Sequence, residues 1–144
     1  YQRNMERLQL KWQTARQLVP RADITGRGGS VGVLYYGTTA LPIPEALDKL
    51  AVNGIHLDTC RVRGFPFGDE VETFVAQHDL IFVVEQNRDG QMRTLLINEL
   101  QTNPAKLIPI LYFAGLSISA DFIDEQISAY YEEHKLARLT EVKS

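Results

Sequence analysis

Apolar residues recur along this chain with two alternating periods. Met5, Leu8, Trp12 and Ala15 stand at helical spacing, so Asn4 to Leu18 is expected to form a helix with one apolar stripe, ended by Pro20. Arg21 to Ser30 is polar and glycine-containing, and it reads as a connector. From there the pattern alternates. Val31 to Tyr36 is a short apolar run. Ile43, Ala46, Leu47, Leu50 and Ala51 follow at helical spacing, with Asn53-Gly54 as a left-handed stop. Ile55 to Val62 alternates apolar with polar residues, as a less deeply buried strand does. Asp69 and Glu72 have the spacing of a capping box, with Val71, Phe74 and Val75 on the buried face of the helix that follows. Leu80 to Val84 is a continuous apolar run, the pattern of a central parallel strand covered on both faces.

Met92, Leu95, Leu96 and Leu100 mark the next helix, and Leu107 to Phe113 the last strand. Pro109 has no amide proton for a ladder, so that strand is expected at an edge. Ser119 is placed to cap the final helix, with Ile118 and Ile123 as a hydrophobic staple; that helix continues through Phe122, Ile127 and Tyr130 into a charged tail. Strand–helix alternation with short loops predicts a three-layer α/β fold, an open, mostly parallel sheet with helices on both faces. The division expected is a helix and linker over 1–29 that arrive from a preceding domain, an α/β domain over 30–131, and a charged tail over 132–144. The first helix has a second reading, as a cover for this domain's own sheet.

Composition narrows the function classes. The 144 residues carry a net charge of −3. A nucleic-acid partner calls for a basic surface that displaces phosphate counterions, so none is expected. The single cysteine, Cys60, cannot form an intrachain disulfide or by itself ligate an iron–sulfur cluster or zinc. No apolar stretch nears the roughly 20 residues of a membrane helix, and no signal peptide is evident. A reducing, cytoplasmic setting is the expectation. The chain opens on Tyr1 rather than methionine, which reads as a domain taken from a longer polypeptide.

In open parallel sheets, functional groups gather at the carboxyl ends of the strands. Three loops fall there: Gly37-Thr38-Thr39, Arg63-Gly64-Phe65-Pro66-Phe67 and Gln86-Asn87-Arg88-Asp89. Thr38 and Thr39 have hydroxyls for a ligand or partner, although the segment also suffices as a tight turn. Phe65 and Phe67 flank a rigid proline and either anchor an interface or fold onto the core. The stretch Glu85 to Arg93 crowds polar groups after the most buried strand. Within it Asn87, Arg88, Gln91 and Arg93 are candidates for an interface or an anion, with free amides at the helix start assisting. A capped helix with its arginines in surface ion pairs is the alternative. Gly26-Arg27-Gly28-Gly29 lacks a P-loop lysine and precedes a strand, so it reads as a flexible linker. His56, His78 and His134 are scattered without metal-ligand spacing.

Four segments go further: 31–39 (Val-Gly-Val-Leu-Tyr-Tyr-Gly-Thr-Thr), 54–63 (Gly-Ile-His-Leu-Asp-Thr-Cys-Arg-Val-Arg), Phe65-Pro66-Phe67, and 83–93 (Val-Val-Glu-Gln-Asn-Arg-Asp-Gly-Gln-Met-Arg). Together they resemble the C-terminal domain of the α subunit of 2-oxoacid:ferredoxin oxidoreductases, the 2-oxoglutarate type most of all, over about Val31 to Ile127. The last segment is the most specific. The resemblance implies a transketolase C-terminal-like fold. It also implies a holoenzyme that decarboxylates a 2-oxoacid on thiamine diphosphate and magnesium, passes electrons through an iron–sulfur cluster to ferredoxin, and forms an acyl-CoA. Its partners are the β subunit and the preceding α-subunit domains, in an oligomer. The chain lacks the Gly-Asp-Gly metal motif of a pyrophosphate-binding domain, so the implied role is non-catalytic: domain packing and subunit assembly. A self-standing flavodoxin-like ligand- or nucleotide-binding module, and the equivalent domain of another thiamine enzyme, are the rival readings.

Overall fold

A computed structural model describes residues 1–136. Its elements in chain order are α1 (Gln2–Leu18), β1 (Asp23–Thr25), β2 (Val31–Tyr36), α2 (Ile43–Val52), β3 (Asp58–Val62), α3 (Asp69–Gln77), β4 (Leu80–Glu85), α4 (Gln91–Leu100), β5 (Leu107–Leu111) and α5 (Ala120–Glu133), with short 3-10 turns at Gly37–Ala40 and Pro104–Lys106. The sheet order is β1-β3-β2-β4-β5. The pairs β2–β3, β2–β4 and β4–β5 are parallel, and only β1 runs antiparallel, against β3. The α/β architecture is the one the alternating periods predicted.

Each face of the sheet carries its own apolar cluster. Val33, Phe82, Val84 and Ile110 meet α2 and α5 through Ile43, Ala46, Leu50, Ile123 and Ile127. Leu34, Cys60, Ile81 and Val83 meet α3 and α4 through Val71, Phe74, Val75 and Leu96. Neighbouring residues of one strand thus serve opposite clusters, which is why β4 reads as an unbroken apolar run: it is buried on both faces. Leu or Ile to Ala at such a site costs about 2–5 kcal/mol.

Local signals account for most boundaries. Gly54 ends α2 at φ 74°, with its amide on Ala51 O at 2.9 Å and the Ile55 amide on Leu50 O at 3.0 Å. Ser119 Oγ accepts from the Phe122 amide at 3.2 Å and so caps α5, while Ile118 and Ile123 are both buried in the same cluster. β5 is an edge strand with Pro109 exposed. α5 ends at Glu133, and the rest of the expected charged tail, from residue 137, lies outside the described residues.

Four expectations are corrected. Asp69 does not form a capping box: it is the first residue of α3, with no side-chain cap bond at that end, and its carboxylate takes Arg16 at 2.7 Å. The strand at Asp58–Val62 is not shallow. Asp58, Thr59, Cys60 and Val62 are buried, because β1 covers the flank that would otherwise be an edge. The connector at Arg21 to Ser30 supplies that strand; three exposed residues, Asp-Ile-Thr, are too few to show a period. Finally, Gly26 to Gly29 is fastened rather than loose. The Asp58 carboxylate accepts from the Arg27 amide at 2.8 Å and the Gly29 amide at 2.9 Å, and lies 3.2 Å from His78 Nε2. A side chain at Gly26 would overlap that carboxylate. Burial opposes the Asp58 charge, but the Arg27 amide, His78 and the Gly29 amide outweigh it and hold the carboxyl below its ordinary 3.8.

α1 stands apart from these layers. None of its residues is buried, so it does not cover the sheet. Its C-terminal end is tied down by Arg16, whose guanidinium bridges Asp69 and Glu72, each at 2.7 Å.

Candidate functional site

The order of the parallel strands reverses between β2 and β4: the chain winds outward from β2 to β3 on one side, then from β2 to β4 and β5 on the other. Crevices at such switch points, outside the carboxyl ends of the strands, are where open α/β sheets bind ligands. Here the crevice is closed by the protein's own side chains. Gln86, just beyond β4, donates from Nε2 to both Thr38 Oγ1 and Thr39 Oγ1 at 3.1 Å, and its Oε1 accepts from the Ile118 amide at 3.3 Å. One amide side chain therefore joins the loops that follow β2, β4 and β5.

Beneath it lies Glu85, the last residue of β4 and fully buried. Oε1 accepts from the Met92 amide at 2.6 Å and from Asn87 Nδ2 at 3.0 Å, and Oε2 accepts from the Arg93 amide at 3.1 Å. The Tyr36 hydroxyl lies 3.5 Å from Oε1. The first turn of α4 thus ends on an internal carboxylate, a favourable place for negative charge because helix amides converge there. Asn87 completes the turn: its Oδ1 accepts from the Asp89, Gly90 and Gln91 amides at 3.1, 2.8 and 3.4 Å. Burial, then the neighbouring Glu85 charge, raises the Tyr36 phenol above its ordinary 10.0, although the Asn87 hydrogen bond pulls the other way.

The six polar residues among the predicted site residues fall into three groups. Thr38, Thr39 and Asn87 are drawn together in the bridged network. Arg93 turns away from it and fixes α4 to the start of β5, donating from Nε to Leu107 O at 2.7 Å and from Nη2 to Pro104 O at 2.9 Å. Arg88 and the Gln91 side chain remain exposed, with Arg88 paired to its neighbour Asp89 at 2.8 Å. The amides expected to be free at the helix start are taken by Glu85 and Asn87. Phe65 and Phe67 divide. Phe67 enters the core at 4% exposure, whereas Phe65 stays 40% exposed, edge-on to Phe67 at 5.2 Å and to Trp12 at 5.3 Å.

Glu85 and Gln86 are the residues that sequence reasoning did not single out. The available signal was an ionisable residue directly after five apolar ones, which a fully buried strand end tolerates only with partners at hand. Around this closed floor the same sheet edge presents exposed apolar side chains: Leu41 after β2, Phe65 after β3, and Phe113 and Leu116 after β5. The donor set does not suit a magnesium diphosphate of the kind thiamine diphosphate carries. A second anion at the α4 start would meet the Glu85 carboxylate, and among the described residues no group of three or more His, Cys, Asp or Glu side chains is placed to hold a metal ion. Nor, among them, is any helix long and apolar enough to cross a membrane.

No family model and no curated protein matches the sequence. Solved structures do match. A 2-oxoglutarate:ferredoxin oxidoreductase from Magnetococcus marinus, solved with 2-oxoglutarate, coenzyme A and succinyl-CoA bound, superposes with a TM-score of 0.70 and 21% identity over 81% of this chain; the match spans only 21% of that longer chain. A split-gene transketolase, an inactive β4 tetramer, gives 0.61 and 13% identity over 76% of this chain and 40% of that one. The α chain of a probable 2-oxoacid ferredoxin oxidoreductase from Thermoplasma acidophilum gives 0.50 and 20% identity over 78% of this chain and 97% of that one. At these identities the likeness is one of fold, and the fold is the transketolase C-terminal-like open sheet that the sequence motifs implied.

Proposed function

We propose that this chain is a non-catalytic domain of the α subunit of a thiamine-diphosphate-dependent 2-oxoacid:ferredoxin oxidoreductase, of the 2-oxoglutarate type, and that it serves domain packing and subunit assembly. The observation that carries this reading is the switch-point crevice itself. Its hydrogen-bonding groups are spent on one another through Gln86, Glu85 and Asn87, while Leu41, Phe65, Phe113 and Leu116 face outward on the surrounding loops. A rigid floor with an apolar rim suits docking better than turnover. The motif at 83–93 and the fold shared with the Magnetococcus marinus enzyme support the family.

In this proposal thiamine diphosphate, magnesium and the iron–sulfur cluster are held by other domains and subunits, CoA is a co-substrate of the assembly, and ferredoxin is met through it. The partners are the β subunit and the remaining α-subunit domains, in the cytoplasm. The likeness to a transketolase fragment favours a second reading, the equivalent domain of a different thiamine enzyme, with the same fold and another electron acceptor or none.

The test is to purify the native assembly through a tag on this polypeptide and to assay 2-oxoglutarate- and CoA-dependent reduction of a low-potential dye. Turnover that requires both substrates is the expected result. Calorimetry on the chain alone supplies the opposing outcome: tight binding of a nucleotide or flavin, with no thiamine enzyme copurified, would establish a free-standing ligand module instead.

A further inference from the structure

A buried pair holds the amino edge of the sheet, opposite the Glu85–Gln86 crevice. His78 closes the turn between α3 and β4 and is 5% exposed, and Asp58 opens β3 at 8%. His78 Nδ1 lies 2.7 Å from Phe74 O, and Nε2 lies 3.2 Å from Asp58 Oδ2. Asp58 Oδ2 also accepts from the Gly29 amide at 2.9 Å, and Oδ1 from the Arg27 amide at 2.8 Å. The pair therefore joins three segments: the loop between β1 and β2, the start of β3, and the turn before β4. Gly32 in β2 leaves the room for it, since a Cβ there would meet Phe74 Cζ at 2.6 Å and His78 Cδ2 at 3.3 Å.

Both ring nitrogens of His78 face oxygens that only accept. One is a backbone carbonyl; the other belongs to a carboxylate that already takes two amides, which favours its charged form. A neutral imidazole has one N–H, so it satisfies one oxygen and sets a lone pair against the other, whereas the imidazolium donates to both. The Phe74 ring, with its centroid 4.1 Å from that of His78, offers the cation a further attraction. Asp58 faces the ring from β3, and Glu70, in the first turn of α3, lines the same solvent-open cavity. β1 and β2 approach with Ile24, Thr25 and Gly32, which carry no charge. Asp79, next in the chain, is exposed, and the Arg27 side chain lines a separate cavity that also borders Asp58.

We propose that Asp58 and His78 form a pH-sensitive clasp: His78 as the imidazolium holds the Arg27–Gly29 loop on the sheet, and loss of its Nε2 proton to solvent releases that loop. The clasp needs Asp58 ionised, a condition met above its ordinary 3.8 because the folded carboxyl lies lower still. It needs His78 protonated, so it is closed in mildly acidic solution and opens as the pH rises through the range in which imidazoles titrate, about pH 5 to 8. Release frees the end of β1 at Thr25, while Arg16 and Trp12 still hold α1. The clasp does not depend on the assembly role proposed above.

The test follows the full chain, with its histidines labelled by nitrogen-15, from about pH 5.5 to about pH 8.5, which brackets ordinary imidazole titration. His78 should carry protons on both ring nitrogens at the acidic end and on one at the alkaline end. Hydrogen-exchange protection of the Arg27 and Gly29 amides, corrected for the intrinsic effect of pH on exchange, should fall about tenfold over the same interval, the scale of losing one hydrogen bond to a charged group. Protection of the Met92 and Arg93 amides, which rest on Glu85, should not step with it. His78→Gln puts an amide donor opposite Asp58 at every pH and should abolish the step, whereas His56→Gln should leave it in place. A single ring N–H on His78 at the acidic end, or flat protection at Arg27 and Gly29 in the parent chain, would overturn the clasp. A step that survives His78→Gln or vanishes in His56→Gln would overturn it too. If His78→Gln fails to fold, the two measurements on the parent still decide.

Discussion

Glu85→Ala is expected to be among the most destabilising single changes at the carboxyl edge. The carboxylate is fully buried and accepts from the Met92 and Arg93 amides at 2.6 and 3.1 Å and from Asn87 Nδ2 at 3.0 Å. Hydrogen bonds to a charged group contribute about 1.5–3 kcal/mol each, and a buried donor left unmatched costs about 1–3 kcal/mol. Asn87 keeps a second partner in the Tyr36 hydroxyl at 3.3 Å, and the α4 start is only part-buried, so water recovers some of the loss. The net cost is then about 3–5 kcal/mol, a large share of the stability of a domain of this size. Glu85→Gln keeps one acceptor but turns an NH2 group towards a helix amide, donor against donor, and should cost about 2 kcal/mol. Urea unfolding followed by circular dichroism measures both. With a slope of about 2 kcal/mol/M, the alanine variant shifts the midpoint down by about 2 M and the glutamine variant by about 1 M. Hydrogen exchange at the Met92 and Arg93 amides should quicken in step. If both variants cost less than about 1 kcal/mol, the carboxylate does not anchor α4 and the account of a rigid crevice is wrong.

Three further outcomes follow from other parts of the fold. Asp58, held below its ordinary 3.8, adds stability that is complete above that value and is lost as the pH falls through its lower folded value; Asp58→Asn should flatten this part of the acid-unfolding curve. Gly26→Ala drives a methyl into the Asp58 carboxylate and should cost about 1–3 kcal/mol, with tryptic cleavage after Arg27 accelerating as its loop detaches. Burial, with a smaller contribution from the Glu70 charge, pushes the Cys60 thiol up to about 12, so at pH 8 a maleimide should label it only after unfolding; rapid labelling of the folded chain would contradict the packing of β3.

Much of this fold was legible in the chain because the relevant forces act over a few residues. The capping of α5 by Ser119, the left-handed stop at Gly54, the doubly buried run of β4 and the edge position implied by Pro109 each need only a local pattern. The stretch at 83–93 stood out for the same reason: polar residues crowd after a buried strand. What the pattern left open was pairing between residues far apart in sequence. β1 is too short to show a period, and it exists because β3 had an unmatched edge. Asp58 fastens a loop 29–31 residues away, and Gln86 joins Thr38, Thr39 and Ile118 across three strand ends. The same is true of the two phenylalanines, alike in sequence, which part company because one points at α3 and the sheet while the other meets Trp12. Sequence alone thus determined the order of elements and the edge where side chains gather, since periodicity and capping are local. Tertiary structure alone decided which of those side chains are spent on one another and which face outward, since that depends on the strand order that brings distant loops together.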